Sequence, residues 1–153
     1  MAWKLTQKMK QWHVLLLALW VLLWLTVQLW PGSFWLEIRQ VRVFSAALGE
    51  PVRMAVDQTI HRNFYGQQSV RVRKLENDGW LMACSSNTGG QYVTTDMLPA
   101  DLDLGWWTDG RCQALPVGQY LVNTSWRIEG GLLPDKIVSV DSNIFEVRAQ
   151  AED

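Results

Sequence analysis

Histidine, cysteine and clustered charge are all scarce in this chain of 153 residues, and each scarcity excludes a class of chemistry. The two histidines are His13, which borders an apolar run, and His61, so a histidine-dependent triad has one candidate base. Ser85 or Ser86 could be drawn as its nucleophile, but no G-x-S-x-G elbow surrounds either. The two cysteines, Cys84 and Cys112, match neither a CxxC redox motif nor a zinc knuckle. Basic residues nowhere form a run, so nucleic-acid binding has no electrostatic footprint. Repeats and low-complexity tracts are absent, and no stretch beyond residue 35 keeps a helical period over three turns.

What the chain does contain is an unbroken apolar segment, 12–30. Between Val14 and Val27 stand seven leucines and three valines and no charge. At about −0.3 to −0.6 kcal/mol each, these ten residues favour insertion into a bilayer by roughly 3 to 6 kcal/mol. A helix over 12–30 would measure about 28 Å, close to the ~30 Å hydrocarbon core. Trp12 and Trp30 bracket it at headgroup level, and Lys4, Lys8 and Lys10 precede it without any acid. The expectation is an uncleaved signal-anchor in the inner, or cytoplasmic, membrane. The tail 1–11 is then cytoplasmic, and everything beyond the helix is periplasmic or extracellular. The junction Gln28-Leu29-Trp30-Pro31-Gly32 lacks the small-x-small site of a cleaved signal peptide. Trp20, Trp24 and Gln28 share one helix face. That face can dock a partner helix, but without a small-xxx-small motif it reads more simply as lipid-facing.

After a short linker, 31–35, the remainder fits one domain, 36–150, followed by a tail, 151–153. All fifteen acids and eleven of the fourteen basic residues fall after residue 35, for a net charge of −4 with interspersed signs. Cys84 and Cys112 would lie in an oxidising compartment, where an isolated pair usually forms a disulfide; two separately buried thiols are the alternative. Strand patterns dominate. Val52, Met54 and Val56 alternate with Arg53, Ala55 and Asp57, and Val70 and Val72 with Arg71 and Arg73. Asn77-Asp78-Gly79 supplies a tight turn into Trp80–Cys84. Leu36–Phe44 reads as a strand with a bulge near Gln40, where its alternation slips. Tyr120–Ile128 and Lys136–Val147 read as two long strands joined by a turn-rich loop through Gly130, Leu132 and Leu133.

About seven short strands in such a length predict a β-sandwich. The run Leu115-Pro116-Val117-Gly118-Gln119-Tyr120 opens an alternating strand. It resembles the tyrosine corner of immunoglobulin-like Greek-key domains, where L-x-x-G-x-Y enters the penultimate strand. The resemblance implies an immunoglobulin-like sandwich, with Gly118 and Tyr120 as structural corner residues and Trp80 or Trp126 as the core aromatic. Val122 stands where antibody-type domains carry a cysteine, so their inter-sheet disulfide is not expected.

The segment Ser85–Arg111 is too long for a simple connection, and loops of that length are commonly functional. It holds a short candidate strand, Gln91–Thr95, then Asp101, Asp103 and Asp109 beside Trp106 and Trp107. An adjacent tryptophan pair can anchor a partner, or fold onto the sandwich as a lid with one ring inward. These five residues are the candidate partner-binding set. Asp101-Leu102-Asp103 resembles a fragment of a calcium loop but lacks the Gly and Glu register of an EF-hand, so no metal and no cofactor is expected. Asn123-Thr124-Ser125 matches a glycosylation sequon inside a strand.

The expected protein is therefore a single-pass, non-enzymatic binding or assembly module, acting close to the membrane on a membrane or periplasmic protein. Its short basic tail, tryptophan-rich anchor and single small domain are similar in style to envelope proteins of Gram-negative bacteria and their phages. A phage-encoded version would act in superinfection exclusion or lysis control. The competing expectation is a small hydrolase or metal-dependent site in the 85–111 loop, which requires His61 and at least two aspartates to converge.

Overall fold

A computed structural model describes residues 2–77, 79–131 and 134–150, with side chains from Trp12 onward. Asp78, Leu132, Leu133 and the tail 151–153 lie outside the described residues. The chain is mainly β and forms a β-sandwich behind one long helix. Among the described residues, helix α1 covers Ala2–Gln28, and a 3-10 turn, Gly32–Phe34, leads into eight strands. These are β1 (Leu36–Val43), β2 (Ala46–Ala47), β3 (Met54–Ile60), β4 (Phe64–Glu76), β5 (Gly79–Tyr92), β6 (Gly118–Ile128), β7 (Lys136–Asp141) and β8 (Phe145–Arg148). The short helix α2 (Leu104–Trp107) lies between β5 and β6.

β1 and β3 pair antiparallel as a two-stranded sheet, and the larger sheet runs β2-β8-β6-β4-β5, with β7 also on β6. β6 lies at the centre because its alternation is the most complete. Tyr120, Val122, Thr124, Trp126 and Ile128 all turn inward and are buried. Val70 and Val72 of β4, Phe145 and Val147 of β8, and Leu36, Val41 and Val43 of β1 complete the core. The Tyr120 hydroxyl donates to the Pro116 carbonyl at 2.6 Å, closing the corner ahead of β6. Burial raises this phenol above its ordinary pKa.

Several boundaries differ from the sequence reading. The register of β1 does slip between Ile38 and Gln40, at the expected bulge. β5, however, continues far beyond Cys84 to Tyr92, because β4 offers it a partner from Glu76 back to Phe64, with one register shift between Val72 and Arg73. Gln91 and Tyr92 end that strand instead of starting a separate one over 91–95. The last strand, expected over Lys136–Val147, is broken in two at Ser142–Ile144. There Ser142 N donates to the Val122 carbonyl and its hydroxyl accepts from Val122 N, while the Asn143 amide accepts from Val43 N and donates to Val43 O, tying β1 to the break. α1 begins well before Trp12 and ends at Gln28 rather than Trp30. Among the described residues, no helix is long and apolar enough to cross a membrane.

The linker 31–35 is not slack. A Cβ on Gly32 would meet the Val138 Cγ2 at 2.6 Å, so the turn lies hard against β7. Phe34 packs at a tilt against Trp30 and edge-on to Trp35, with the Arg62 guanidinium 3.9 Å from its ring centre. The Lys136 ammonium donates to the Gln28 carbonyl, where the helix dipole favours a cation. Three contacts thus set the domain's orientation relative to the helix end.

Replacing Tyr120 with Phe keeps the buried ring and removes one buried hydrogen bond. The variant should lose about 1–2 kcal/mol of unfolding free energy in a denaturant titration.

Candidate binding cleft

The segment 93–117 crosses the open face between the sheets, and three devices hold it there. The backbone of Leu102 and Leu104 bonds to Met54 and Val52, extending the small sheet beside β3. The Asp103 carboxylate caps α2 by accepting from Trp106 N at 2.7 Å. Cys84 and Cys112 form a disulfide, with Cα atoms 5.9 Å apart, which joins the far end of the segment to β5. Buried Thr108 braces the turn from within, donating to the Leu104 carbonyl and accepting from Cys112 N. Asp109 and Gly110 both adopt left-handed backbone, at φ 53° and 75°, and reverse the chain.

A four-residue helix cannot turn both tryptophans the same way, because neighbouring side chains on a helix diverge. Trp107 goes inward, edge-on to Trp126 at 5.9 Å, and its indole N–H donates to the Thr124 hydroxyl at 3.2 Å. Trp106 goes outward and remains 59% exposed. Beside it lies a cleft of about 650 Å³, lined by Gln68, Thr88, Asp103, Asp109 and Gln113. On the other side of Trp106 is a smaller hollow of about 270 Å³, reached by Ile60, Tyr92, Met97 and Leu98. Gln68 lines both, and its amide nitrogen is buried without a hydrogen-bond partner among the described groups.

The structure thus brings Trp106, Trp107, Asp103 and Asp109 to one cleft. Asp101 is exposed and does not line it. Trp20 and Trp24 are exposed on α1, and Gln28 ends that helix. Gly118 opens β6 against the Lys74 side chain. His61 lies elsewhere, its ring nitrogen 3.0 Å from the Glu37 carboxylate at the surface. Asp96 accepts from Val93 N instead of facing it. Among the described residues, no three His, Cys, Asp or Glu side chains gather as a metal site. The convergence of His61 with loop aspartates that a hydrolase would need is therefore not formed.

Gln68, Thr88 and Gln113 were not singled out from the sequence. Gln68 did leave a signal there, as a polar residue in register with inward-facing Val70 and Val72. In the sheet it is flanked by Thr88 on β5 and Trp126 on β6.

Reducing the disulfide frees a loop of 28 residues. The chain-entropy model assigns that closure about 3.5 kcal/mol, so reductant should lower the melting temperature and expose Trp107 to a fluorescence quencher. Glu37 is held below its ordinary carboxylate pKa, first by its hydrogen bond with His61 and then by Arg39. A lowered folded value makes this contribution present above the unfolded pKa and lost as pH falls through the folded one. His61→Gln should move the Glu37 carboxyl upward in an NMR titration. Comparison with protein families, curated proteins and solved structures finds no match to this chain.

Proposed function

We propose that this chain is a membrane-anchored, non-enzymatic binding or assembly module of a cell envelope, with the Trp106 cleft as its contact site. The observation that carries the anchor is the exposed surface of α1. Leu15, Leu16, Leu17, Leu19, Trp20, Leu22 and Leu23 are each about 58–68% exposed, and none joins the core of the sandwich. The stretch 14–25, apolar on every face, needs a covering that the packed domain does not supply. The uncharged part of α1 from Trp12 to its end spans about 26 Å, a little short of the ~30 Å hydrocarbon core of a bilayer. The basic tail assigns its start to the cytoplasm, and the disulfide suits an oxidising compartment beyond the helix.

The domain itself is best read as immunoglobulin-like. β2 runs parallel to β8, β1 and β3 form the facing sheet, and residues 102–104 stand where a further strand would pair with β3. The corner bond from Tyr120 supports the same reading. Because the joint at Gly32 is packed, the cleft is carried at a set height above the bilayer, and its partner meets it there. The host is best sought among Gram-negative bacteria and their phages, the latter in superinfection exclusion or lysis control.

Two measurements test this. The chain should stay in the membrane pellet after alkaline carbonate extraction, with its C-terminal domain open to protease only from the outer side. Crosslinking in native membranes should capture a partner with the parent chain, and Trp106→Ala should lose most of that capture. A chain released by carbonate has no anchor, and capture unchanged by Trp106→Ala removes the cleft from the contact.

A further inference from the structure

We infer that the Trp106 cleft binds a neutral saccharide; this rests on the cleft being the contact site. Trp106 is a large aromatic held in water by a 2.7 Å cap from Asp103, while its neighbour takes the place in the core. The negative face of an indole attracts weakly positive C–H groups, and a sugar ring presents a row of them on one side. Around that platform stand two amides, Gln68 and Gln113, and the Thr88 hydroxyl. The Gln113 amide and the Thr88 hydroxyl each donate and accept hydrogen bonds, as every sugar hydroxyl does, while the Gln68 amide nitrogen is buried.

Charge narrows the choice. Among the described residues no Lys or Arg lines the cleft, so none of them there pairs with a phosphate or a free carboxylate ligand. Asp103 and Asp109 could attract a cation, but one oxygen of Asp103 is already committed to the α2 cap. An ammonium or guanidinium only donates, and would leave the amide N–H groups and the threonine hydroxyl hydrogen without acceptors. A polyol matches both sets. The cleft, at about 650 Å³, falls within the range of about 300–1,000 Å³ usual for small-ligand sites. The hollow past Trp106 has Met97, Leu98 and Tyr92 beside Gln58, Gln68 and Asp96, and its apolar part suits an acyl methyl group, so N-acylated sugars fit best.

The test is calorimetric titration of the full chain, held in nanodiscs prepared without glycosidic detergent. The ligands are the trisaccharides of N-acetylglucosamine and of glucose. Saturable binding is expected, tighter for the acetylated sugar. Trp106→Ala should weaken it at least about tenfold, as loss of an aromatic anchor does. Gln113→Ala, at an exposed position, should weaken it less, with both variants retaining the parent circular dichroism. No binding of either sugar by the folded chain overturns the inference, as does binding that both substitutions leave unchanged. A lysine-rich peptide that binds in a Trp106-dependent way while the sugars do not overturns the ligand class and leaves the cleft as the contact site. Loss of the cleft itself is read separately, from unchanged crosslinking in the Trp106→Ala chain.

Discussion

Trp107 packs edge-on against Trp126, and the remaining architecture of the outer domain is arranged around that contact. The sheet formed by β1 and β3 has only two strands and cannot cover the broad face of β4, β5 and β6 opposite it. The crossing segment fills the uncovered area, and Trp107 is the side chain that seals it. Its indole nitrogen would be a buried orphan without Thr124, so the hydroxyl on β6 is part of the same fit. Once Trp107 is inside, the geometry of a short helix places Trp106 outside.

That arrangement depends on chain ends being held as well as on the ring. The disulfide holds one end of the segment to β5, and the backbone of Leu102 and Leu104 holds the other beside β3. A loop clamped at both ends keeps its shape without a large core of its own. It can therefore present an exposed aromatic and several polar groups with little ordering cost on binding. The joint between α1 and β7 is packed in the same way, through Gly32, Lys136 and Phe34.

Much of the scaffold was legible in the residues themselves. Alternation located β1, β3, β4 and β6, the slip at Gln40 located a bulge, and the run from Leu115 to Tyr120 located a corner. Inaccuracies arose where a strand depends on its neighbour. Ser85-Ser86-Asn87-Thr88-Gly89-Gly90 has little strand propensity, yet it continues β5 because β4 supplies a partner for its backbone. The break at Ser142 was hidden for the same reason: Asn143 leaves the ladder to bond Val43, a hundred residues away in sequence.

Local chemistry by itself determined the N-terminal helix, the alternating strands and the pair of cysteines. These properties follow from residue type and short-range spacing. Only the tertiary structure decided which tryptophan of the pair faces outward, and that Gln68, Thr88 and Gln113 stand beside it. The reason is physical: a cleft is made by side chains from β4, β5 and the crossing segment meeting across space. Sheet register and a disulfide bring them together, and neither is encoded in the spacing along the chain.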